Sequence, residues 1–532
     1  MPGSNAGGRP VDAIWEHFER LPSNKSKCRV CGHEAAANPE RMKKHHAKHA
    51  DSENRPPPAK QPRITDFTVS TSKDDKNKFD ILVGRFFFEN NIAFNIVEST
   101  SFKELCHALH PGYKPPNRKI LGNEILDTVH TQLESKCSKK LIGKEVTLCI
   151  DGWSNTCNDP IVAASIQHEG DAYIIGSLDT SGEPHTGEYL AEVTIDFIKK
   201  AEDAEKYGAK VIAVVTDNAE NMNLMRKTIE EKKAVITYGC GAHQMNLLAG
   251  DLVPTSILHK VTEVAKLFRN CHLPKAWLEA EGCLKPPMPS SVRWNSHLSV
   301  LLWYQSSWTK IKSIILRHSD YFSSGAPKTV SQHIKSLALF QQVEDSVKCL
   351  KPIKDALNCL QSDNICAAEA VEAWKDILDG YRTESEYRNW LEAAEKRYNK
   401  SVPPVWFLAN ILHPQYAGRR LTPKELKEKY TSLLPVYVDF VAEGKTVFME
   451  NWAPASGCKV ENFIKLSRDE QEISQGLAEL MITMLKLIPS TAGLERVFST
   501  MGFVHSDLRN RLGSEKVTKL AFCLRSLKSQ DN

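Results

Sequence analysis

The spacing of apolar residues changes several times between about residue 143 and residue 272. Short apolar runs between turn residues predict strands, and longer stretches with apolar residues three and four apart predict helices. The predicted order is three strands, a helix, a strand, a helix, a strand and a helix. The segments are EVTLCIDGWS, PIVAASIQHEG, AYIIGSLDTSG, TGEYLAEVTIDFIKKAEDAEKYG, KVIAVVTDNAENM with the helix after it, AVITYGC, and a helix from about His243 to Arg269. This order predicts a mixed α/β domain.

Helical spacing dominates on both sides of this domain. Apolar residues from Ile81 to Phe94, followed by SFKELCHAL and NRKILGNEILDTVHTQLESKCSKKL, predict an all-helical segment at 79–142. Residues 273–480 again show helical patterns, with no comparable strand sequence. Near the C-terminus, PSTAGLERVFS predicts a helix that carries Glu495 at the edge of an apolar face.

Length and composition exclude a lone small module and a membrane protein. At roughly 100 to 200 residues per domain, 532 residues suffice for three or four domains or for one domain with a large insertion. No run of about 18 uncharged apolar residues is present, so we expect no membrane association. No basic and then apolar leader precedes Trp15, so we expect a reducing compartment, with the 14 cysteines as free thiols or metal ligands.

The charge is distributed unevenly. The net charge of +4, from 69 Lys and Arg against 65 Asp and Glu, is far from the basicity typical of nucleic-acid binding. Between Arg20 and Arg63, however, 11 basic residues face only four acidic ones. The basic character is therefore local. Residues 51–78, with three consecutive prolines from Pro56, predict a flexible linker.

The basic stretch contains a pattern typical of a zinc site. Cys28 and Cys31 lie in a Cys-x2-Cys arrangement, followed by His45 or His46 and then by His49. Two thiolates on a tight turn and two imidazoles on one helix face suit tetrahedral Zn²⁺. We prefer His45 to His46, because His45 and His49 are four residues apart and share a helix face.

The helix that would carry these histidines has a clear start. Asn38 is the predicted N-cap and Pro39 the first helical residue. His33 is a spare potential ligand. The alternative is a helix that is rich in histidine by chance.

Two aspartates follow the two most apolar strands. Asp151 in CIDGWS and Asp217 in VVTDN lie where these two apolar runs end, and the strand and helix order around them is that of an RNase H-like fold. An Asp in this position often caps a turn or the next helix, and this alternative stays open for each residue alone. The distant Glu495 is the third carboxylate that favours a site.

The N-terminal pattern, with Trp15 and Phe18 in VDAIWEHFERL, resembles a BED-type zinc finger over residues 10–50. Such fingers are DNA-binding modules of transposases and of regulators that descend from them. The resemblance implies phosphate contacts from the basic residues of the helix, Arg41, Lys43, Lys44 and Lys48.

The motifs CIDGWS, VVTDNAENM, CGAH, RWNS and PSTAGLERVFS occur in the order found in hAT superfamily transposases, which the chain resembles from about residue 80 to 527. The implied fold is an α/β RNase H-like catalytic domain interrupted by a large all-α insertion, with the small zinc finger in front. The implied parts are a finger at 10–50, a linker at 51–78, a helical segment for dimerisation or DNA contact at 79–142, the first part of the core at 143–272, the insertion at 273–480, and the last part of the core with the hAT dimerisation region at 481–527.

The resemblance also implies the roles of single residues. Asp151, Asp217 and Glu495 would hold Mg²⁺ or Mn²⁺, which prefer carboxylate oxygens. His243 of the Cys-x2-His pair would bind near the scissile phosphate, while a zinc half-site with Cys240 is the alternative. Trp294, beside Arg293 in SVRWNSH, would stack on a flipped base, and an ordinary core tryptophan is the alternative.

The resemblance predicts a hAT-type DNA transposase, which cleaves transposon ends and transfers strands with a metal ion. Its partners would be double-stranded DNA of the transposon ends and of the target, and a further copy of the chain in at least a dimer. Its location would be the nucleus. The alternative is a domesticated, non-catalytic BED-finger regulator of transcription. A nuclease of the same fold without strand transfer is a third possibility that the C-terminal dimerisation signature disfavours.

Overall fold

The computed structural model describes residues 12–50, 71–155, 158–289, 294–362, 364–383, 387–422, 424–425, 459–505 and 512–529. The chain divides into two units, Met1–Ser72 with Cys106–Tyr113, and Lys73–Leu105 with Lys114–Asn532. The cysteines among the described residues are free thiols. Among the same residues, no helix is long and apolar enough to cross a membrane.

The first unit contains a small three-stranded antiparallel sheet in the order β1-β2-β3. Its elements are a 3₁₀ turn Ala13–His17, β1 Phe18–Leu21, β2 Lys25–Cys28, β3 Glu34–Ala36 and α1 Pro39–Ala50. Its core consists of Ile14, Phe18, Cys28 and Met42, with Trp15 at the edge. So small a core stabilises a fold weakly, and such modules usually need a metal or another cross-link.

The second unit is built on a five-stranded sheet in the order β6-β5-β4-β7-β8. Neighbours β4, β5 and β6 are antiparallel, whereas β7 runs parallel to both β4 and β8. The predicted strand order along the chain is thus confirmed. The strands are β4 Glu145–Ser154, β5 Pro160–His168, β6 Asp171–Asp179, β7 Lys210–Thr216 and β8 Ile236–Gly239.

Both faces of this sheet are covered. Along β4, Val146, Leu148 and Ile150 contribute to one core with α6 Gly187–Glu202 and α7 Glu220–Lys232. The intervening Cys149 belongs to a second core, which contains most of the helical body. This alternation follows from the two-residue period of a strand.

One long helix predicted from His243 to Arg269 is in fact two. The structure has α8 Gly241–Leu252 and α9 Thr255–Asn270, with Pro254 at the N-cap of the second. Proline has no N–H to donate to the preceding turn and disfavours helix at the residue before it, so the chain breaks there.

The region before the sheet is helical, and it begins earlier than predicted. Helix α2 starts at Lys73, inside the stretch predicted as linker, with two acidic residues in its first turn that favour a helix start. The elements are α2 Lys73–Glu89, a 3₁₀ turn Phe94–Glu98, α3 Thr100–Leu109, α4 Arg118–Ile120, a π turn Leu121–Ile125 and α5 Leu126–Leu141.

Helices also fill the region between the sheet and the C-terminal segment. They are α10 His272–Ala280, α11 Trp294–Arg317, a 3₁₀ turn Tyr321–Ser323, α12 Gly325–Lys335, α13 Leu337–Leu360, α14 Ala367–Arg382, α15 Arg388–Ser401, α16 Pro404–Leu412, α17 Val460–Asp469 and α18 Gln475–Leu485. The chain then returns to the sheet with α19 Ala492–Val504 and α20 Ser514–Lys528.

The return is fixed by hydrogen bonds to β4. The Thr147 hydroxyl donates to the Lys486 carbonyl at 2.7 Å, and the Cys149 thiol donates to the Ser490 carbonyl at 3.6 Å. These contacts join positions more than 330 residues apart. They bring the start of α19, and therefore Glu495, back to the sheet.

Candidate functional site

Four side chains of the first unit are placed so that they could hold a metal ion. The ligand atoms of Cys28, Cys31, His45 and His49 all lie within 4.8 Å of one another. The Cys31 Sγ lies 3.1 Å from the His45 Nε2, the Cys28 Sγ lies 3.5 Å from the His49 Nε2, and the two Nε2 atoms are 3.1 Å apart. Ligand atoms about 2.0 to 2.3 Å from a tetrahedral zinc ion are roughly 3.3 to 3.8 Å apart, so the four residues fit Zn²⁺.

Local structure explains why these residues meet. Cys28 ends β2, and a turn closed by the Gly32 N–H donating to the Cys28 carbonyl at 2.8 Å presents Cys31 beside it. The Asn38 Oδ1 accepts hydrogen bonds from the N–H groups of Glu40 and Arg41, so Asn38 caps α1 as predicted.

The electrostatic surroundings of Cys28 and His45 in the first unit favour the deprotonated forms that bind metal ions. Burial opposes ionisation of the Cys28 thiol, but N–H groups of Cys31 and Val30 donate to the sulfur and lower its pKa overall. Burial, and then the charges of neighbouring His33 and His49, lower the pKa of His45, which keeps its ring neutral for binding. The ligand group contains His45 rather than His46, as the sequence analysis preferred.

The basic residues of α1 are exposed. Arg41, Lys44 and Lys48 are open to solvent, whereas Lys43 forms an ion pair with Asp12 at 2.6 Å. The structure thus leaves a basic helix surface next to the metal ligands.

In the second unit, Asp217 follows β7 as predicted, whereas Asp151 lies inside β4, which continues to Ser154 in its pairing with β5. Cys149 of β4 pairs with Val215 of β7 in a parallel register, and Asp151 and Asp217 each follow two residues later. Both are half-buried. Each also makes a local hydrogen bond, since the Asp151 Oδ1 accepts from the Gly152 N–H at 2.8 Å and the Asp217 Oδ1 accepts from the Ala219 N–H at 3.1 Å. The turn-capping role that the sequence left open is therefore present.

A cavity of about 840 Å³ contains Asp151, Glu495 and His243 in its wall. Glu495 lies in the first turn of α19, partly exposed, while its neighbours Leu494 and Val497 are fully buried. Glu495 therefore lies at the edge of the apolar helix face, as predicted. His243 enters the same wall from the first turn of α8.

A second cavity, of about 330 Å³, has Asp151 and Asp217 in its wall together with His185 and Asn221. Asp151 thus faces both cavities, Asp217 the smaller one and Glu495 the larger one. Among the described residues, Cys28, Cys31, His45 and His49 form the group of possible ligands that lie close enough together for a metal ion. The three acids do not form such a group.

The three acids nevertheless interact through their charges. Burial, and after it the negative charges of Asp217 and Glu495, raise the pKa of Asp151 to about 7, although the Gly152 N–H opposes this shift. A divalent cation between the carboxylates would relieve the repulsion, and hard oxygen donors suit Mg²⁺ or Mn²⁺. The donor type and the charge suit such an ion, whereas the three side chains do not lie close enough together to form a metal-ligand group.

Two features of the site were not found by sequence reasoning. Trp153 lines the larger cavity and stacks on Phe498, with ring centroids 6.0 Å apart and an angle of 14° between the planes. Arg226 of α7 donates to the Asp217 carbonyl at 2.9 Å and to the Thr216 hydroxyl at 2.6 Å. The tryptophan of CIDGWS was visible as a motif residue, but the Arg226 contact had no signal in the sequence.

Two predicted DNA-contacting residues cannot be placed. Arg293 lies outside the described residues, and of Trp294 the structure describes only that α11 begins there. Their predicted roles stay predictions. Cys240 has no set of metal ligands around it among the described residues.

Comparison with known proteins gives two similarities. Residues 111–268, which include the whole five-stranded sheet, match a family described as a domain of unknown function, DUF659. A protein from Talaromyces stipitatus named "Putative transcriptional regulator tpeD" is 22% identical over 280 residues, covering 46% of this chain and 32% of that protein. The chain thus spans about a third of the length of the curated relative that it matches.

Proposed function

We propose that this chain is a hAT-type DNA transposase, whose RNase H-like catalytic domain cleaves transposon ends and transfers strands with a divalent metal ion. The observation that carries the proposal is the return of Glu495, across about 340 residues, to a cavity that it shares with Asp151. The strand order agrees with it, and the matched domain is found in hAT-family transposase-like proteins. The regular elements that the structure describes between residues 273 and 480 are all helices.

The acids would hold the metal ions and His243 would contact the substrate. Asp151, Asp217 and Glu495 would supply the oxygen ligands, and Asp151 would be the central one because it lines both cavities. Bound Mg²⁺ or Mn²⁺ supplies a more acidic attacking hydroxyl and stabilises the charge on the leaving oxygen. His243, which lines the same cavity as Glu495, would donate a hydrogen bond to the phosphate.

The first unit would bind DNA as a BED-type finger. Bound zinc would fix α1 through His45 and His49, and the exposed Arg41, Lys44 and Lys48 would contact phosphates. Lys43 would join them at the cost of its exposed ion pair with Asp12, which is worth little. The same proposal includes the partners, which are the double-stranded DNA of the transposon ends and of the target. It also includes a dimer or larger oligomer of this chain and a location in the nucleus.

The test is cleavage of a duplex that carries the DNA flanking the protein's own gene. With Mg²⁺, wild-type protein should cut it, and Asp151→Asn, Asp217→Asn and Glu495→Gln should each lose at least about 100-fold in rate, since even residues that only orient ligands contribute 10- to 100-fold. Glu231→Gln, on an exposed residue of α7, is the matched control and should cut normally. Undiminished cutting by the three site variants would overturn the proposal.

A domesticated regulator is the second candidate. The name of the Talaromyces protein favours it. In that case the wild-type protein would bind the same duplex through the finger and would not cut it with either Mg²⁺ or Mn²⁺. Cutting that depends on Asp151 would exclude this candidate.

A further inference from the structure

Cys240 occupies a central position beside the larger cavity without lining it. It follows β8 directly, caps the N-terminus of α8 and is 1% exposed. Burial raises the pKa of its thiol, which disfavours both a nucleophilic thiolate and the zinc half-site considered from the sequence.

The sulfur accepts two hydrogen bonds from different parts of the chain. The His243 N–H donates to it at 3.4 Å, and so does the Thr491 N–H at 3.4 Å. The first donor belongs to His243, which lines the larger cavity from the first turn of α8. The second lies one turn before Glu495, whose own N–H donates to the Thr491 carbonyl at 3.0 Å.

The backbone of Cys240 holds the third segment of the site. Its N–H donates to the Thr216 carbonyl at 2.7 Å, and its carbonyl accepts from the Asn218 Nδ2 at 2.8 Å. Thr216 and Asn218 flank Asp217. One residue therefore contacts the segments that carry Asp217, His243 and Glu495.

The neighbours of Cys240 add to this connection. The Gly241 N–H donates to the Pro489 carbonyl at 2.7 Å, and the Tyr238 hydroxyl donates to the Ile488 carbonyl at 3.0 Å. A Cβ at Gly241 would lie 3.2 Å from the Pro489 oxygen and 2.8 Å from the Trp406 ring. The absence of a side chain at this position lets the two segments approach so closely.

We propose that Cys240 is a positioning residue, whose sulfur fixes the helix start that carries Glu495 against the helix start that carries His243. The proposal rests on the proposed function for its effect on catalysis, but the two hydrogen bonds can be tested without activity. A serine oxygen is held on a shorter bond to Cβ than sulfur, so serine would lie further from the two donors at unchanged backbone positions. An alanine removes the acceptor and leaves the buried Thr491 N–H without it.

The test compares Cys240→Ala and Cys240→Ser with Cys523→Ala. Cys523 is a buried cysteine of α20, 0% exposed and outside the two segments that Cys240 joins, so its variant controls for loss of a core thiol. Hydrogen exchange measured by mass spectrometry should become at least about 10-fold faster in peptides spanning 241–245 and 489–495 of both Cys240 variants, because a lost bond of about 1.4 kcal/mol is a factor of ten. The control should leave these peptides unchanged. Equal exchange in wild type and both Cys240 variants overturns the proposal.

Catalysis provides the second measurement. Both Cys240 variants should lose about 10-fold or more in kcat and in Mn²⁺ affinity while KM for DNA stays unchanged, with serine less impaired than alanine. Equal kcat in Cys240→Ala and Cys523→Ala overturns the positioning role. If Cys240→Ala does not fold, Cys240→Ser decides by the same comparisons. If the wild type does not cut DNA, the proposed function fails. The hydrogen exchange of the two peptides and the Mn²⁺ affinity then still decide the role of Cys240.

Discussion

His413 should make the second unit sensitive to acid. It follows α16, is 4% exposed, and its ring stacks on Tyr416 with centroids 4.6 Å apart. The Nδ1 accepts a hydrogen bond from the Gln415 N–H at 3.2 Å, an arrangement that requires an unprotonated nitrogen. Burial lowers the pKa of His413 to about 4.

The sign and size of the effect follow from proton linkage. An unfolded histidine has a pKa of about 6.5, so between pH 6.5 and about 4 the unfolded chain binds a proton that the folded chain does not. Folding stability is therefore complete above pH 6.5 and falls as the pH is lowered. At about 1.4 kcal/mol for each pH unit, the loss from His413 alone approaches about 3 kcal/mol at pH 4.

The assay is urea unfolding of wild type and His413→Gln from pH 4 to pH 7.5, followed by tryptophan fluorescence. Glutamine can still accept from the Gln415 N–H but does not titrate, so the variant should be less stable at pH 7 and should approach or exceed wild type near pH 4. All other titrating groups are common to both proteins and cancel in the difference. Parallel stability profiles over the whole range would refute the linkage to His413.

Three further predictions follow from the structure. Chelation of zinc, or Cys31→Ser, should unfold the first unit and abolish its DNA binding, measured by zinc content, helical circular dichroism and gel shift, while a cooperative unfolding transition of the second unit remains. Glu145, although burial opposes it, is held at a lowered pKa by Lys210 and Lys486. Glu145→Gln should therefore cost about 1 to 2 kcal/mol at pH 7, and this difference should vanish as pH falls from 4.5 through the folded pKa; a pH-independent difference would contradict the ion-pair explanation. Lys375, 2% exposed, donates to Glu425 at 2.6 Å. Glu425→Gln should cost about 3 to 5 kcal/mol, whereas Lys375→Met combined with Glu425→Leu should be close to neutral, and a cost for the double variant as large as for the single one would show that the charges themselves are needed.

Local signals in the sequence predicted the elements that depend on nearby residues. The cap at Asn38, the spacing of His45 and His49, and the strands β4 and β7 beside Asp151 and Asp217 all follow from patterns within a few residues. Such patterns report directly on backbone preference and on burial.

Contacts between distant segments could not be predicted in the same way. The bond from the Thr491 N–H to the Cys240 sulfur joins residues 251 positions apart, and neither neighbourhood contains a signal of the other. The break at Pro254 was a local signal that apolar periodicity on both sides obscured. Only the resemblance to hAT transposases predicted that Asp217 and Glu495 belong to one site. Helical periodicity could not predict this, because it does not indicate which surface a helix packs against.

The large sequence separation between the sheet and the helix that carries Glu495 also affects when the site can form during synthesis. Asp217 leaves the ribosome about 280 residues before Glu495, which at roughly 5 to 20 residues per second corresponds to about 14 to 56 seconds. During this interval the nascent sheet has its first two carboxylates but lacks the last helix that covers it. Until synthesis has passed α19, a newly made chain therefore lacks the larger cavity that Asp151 and Glu495 line together.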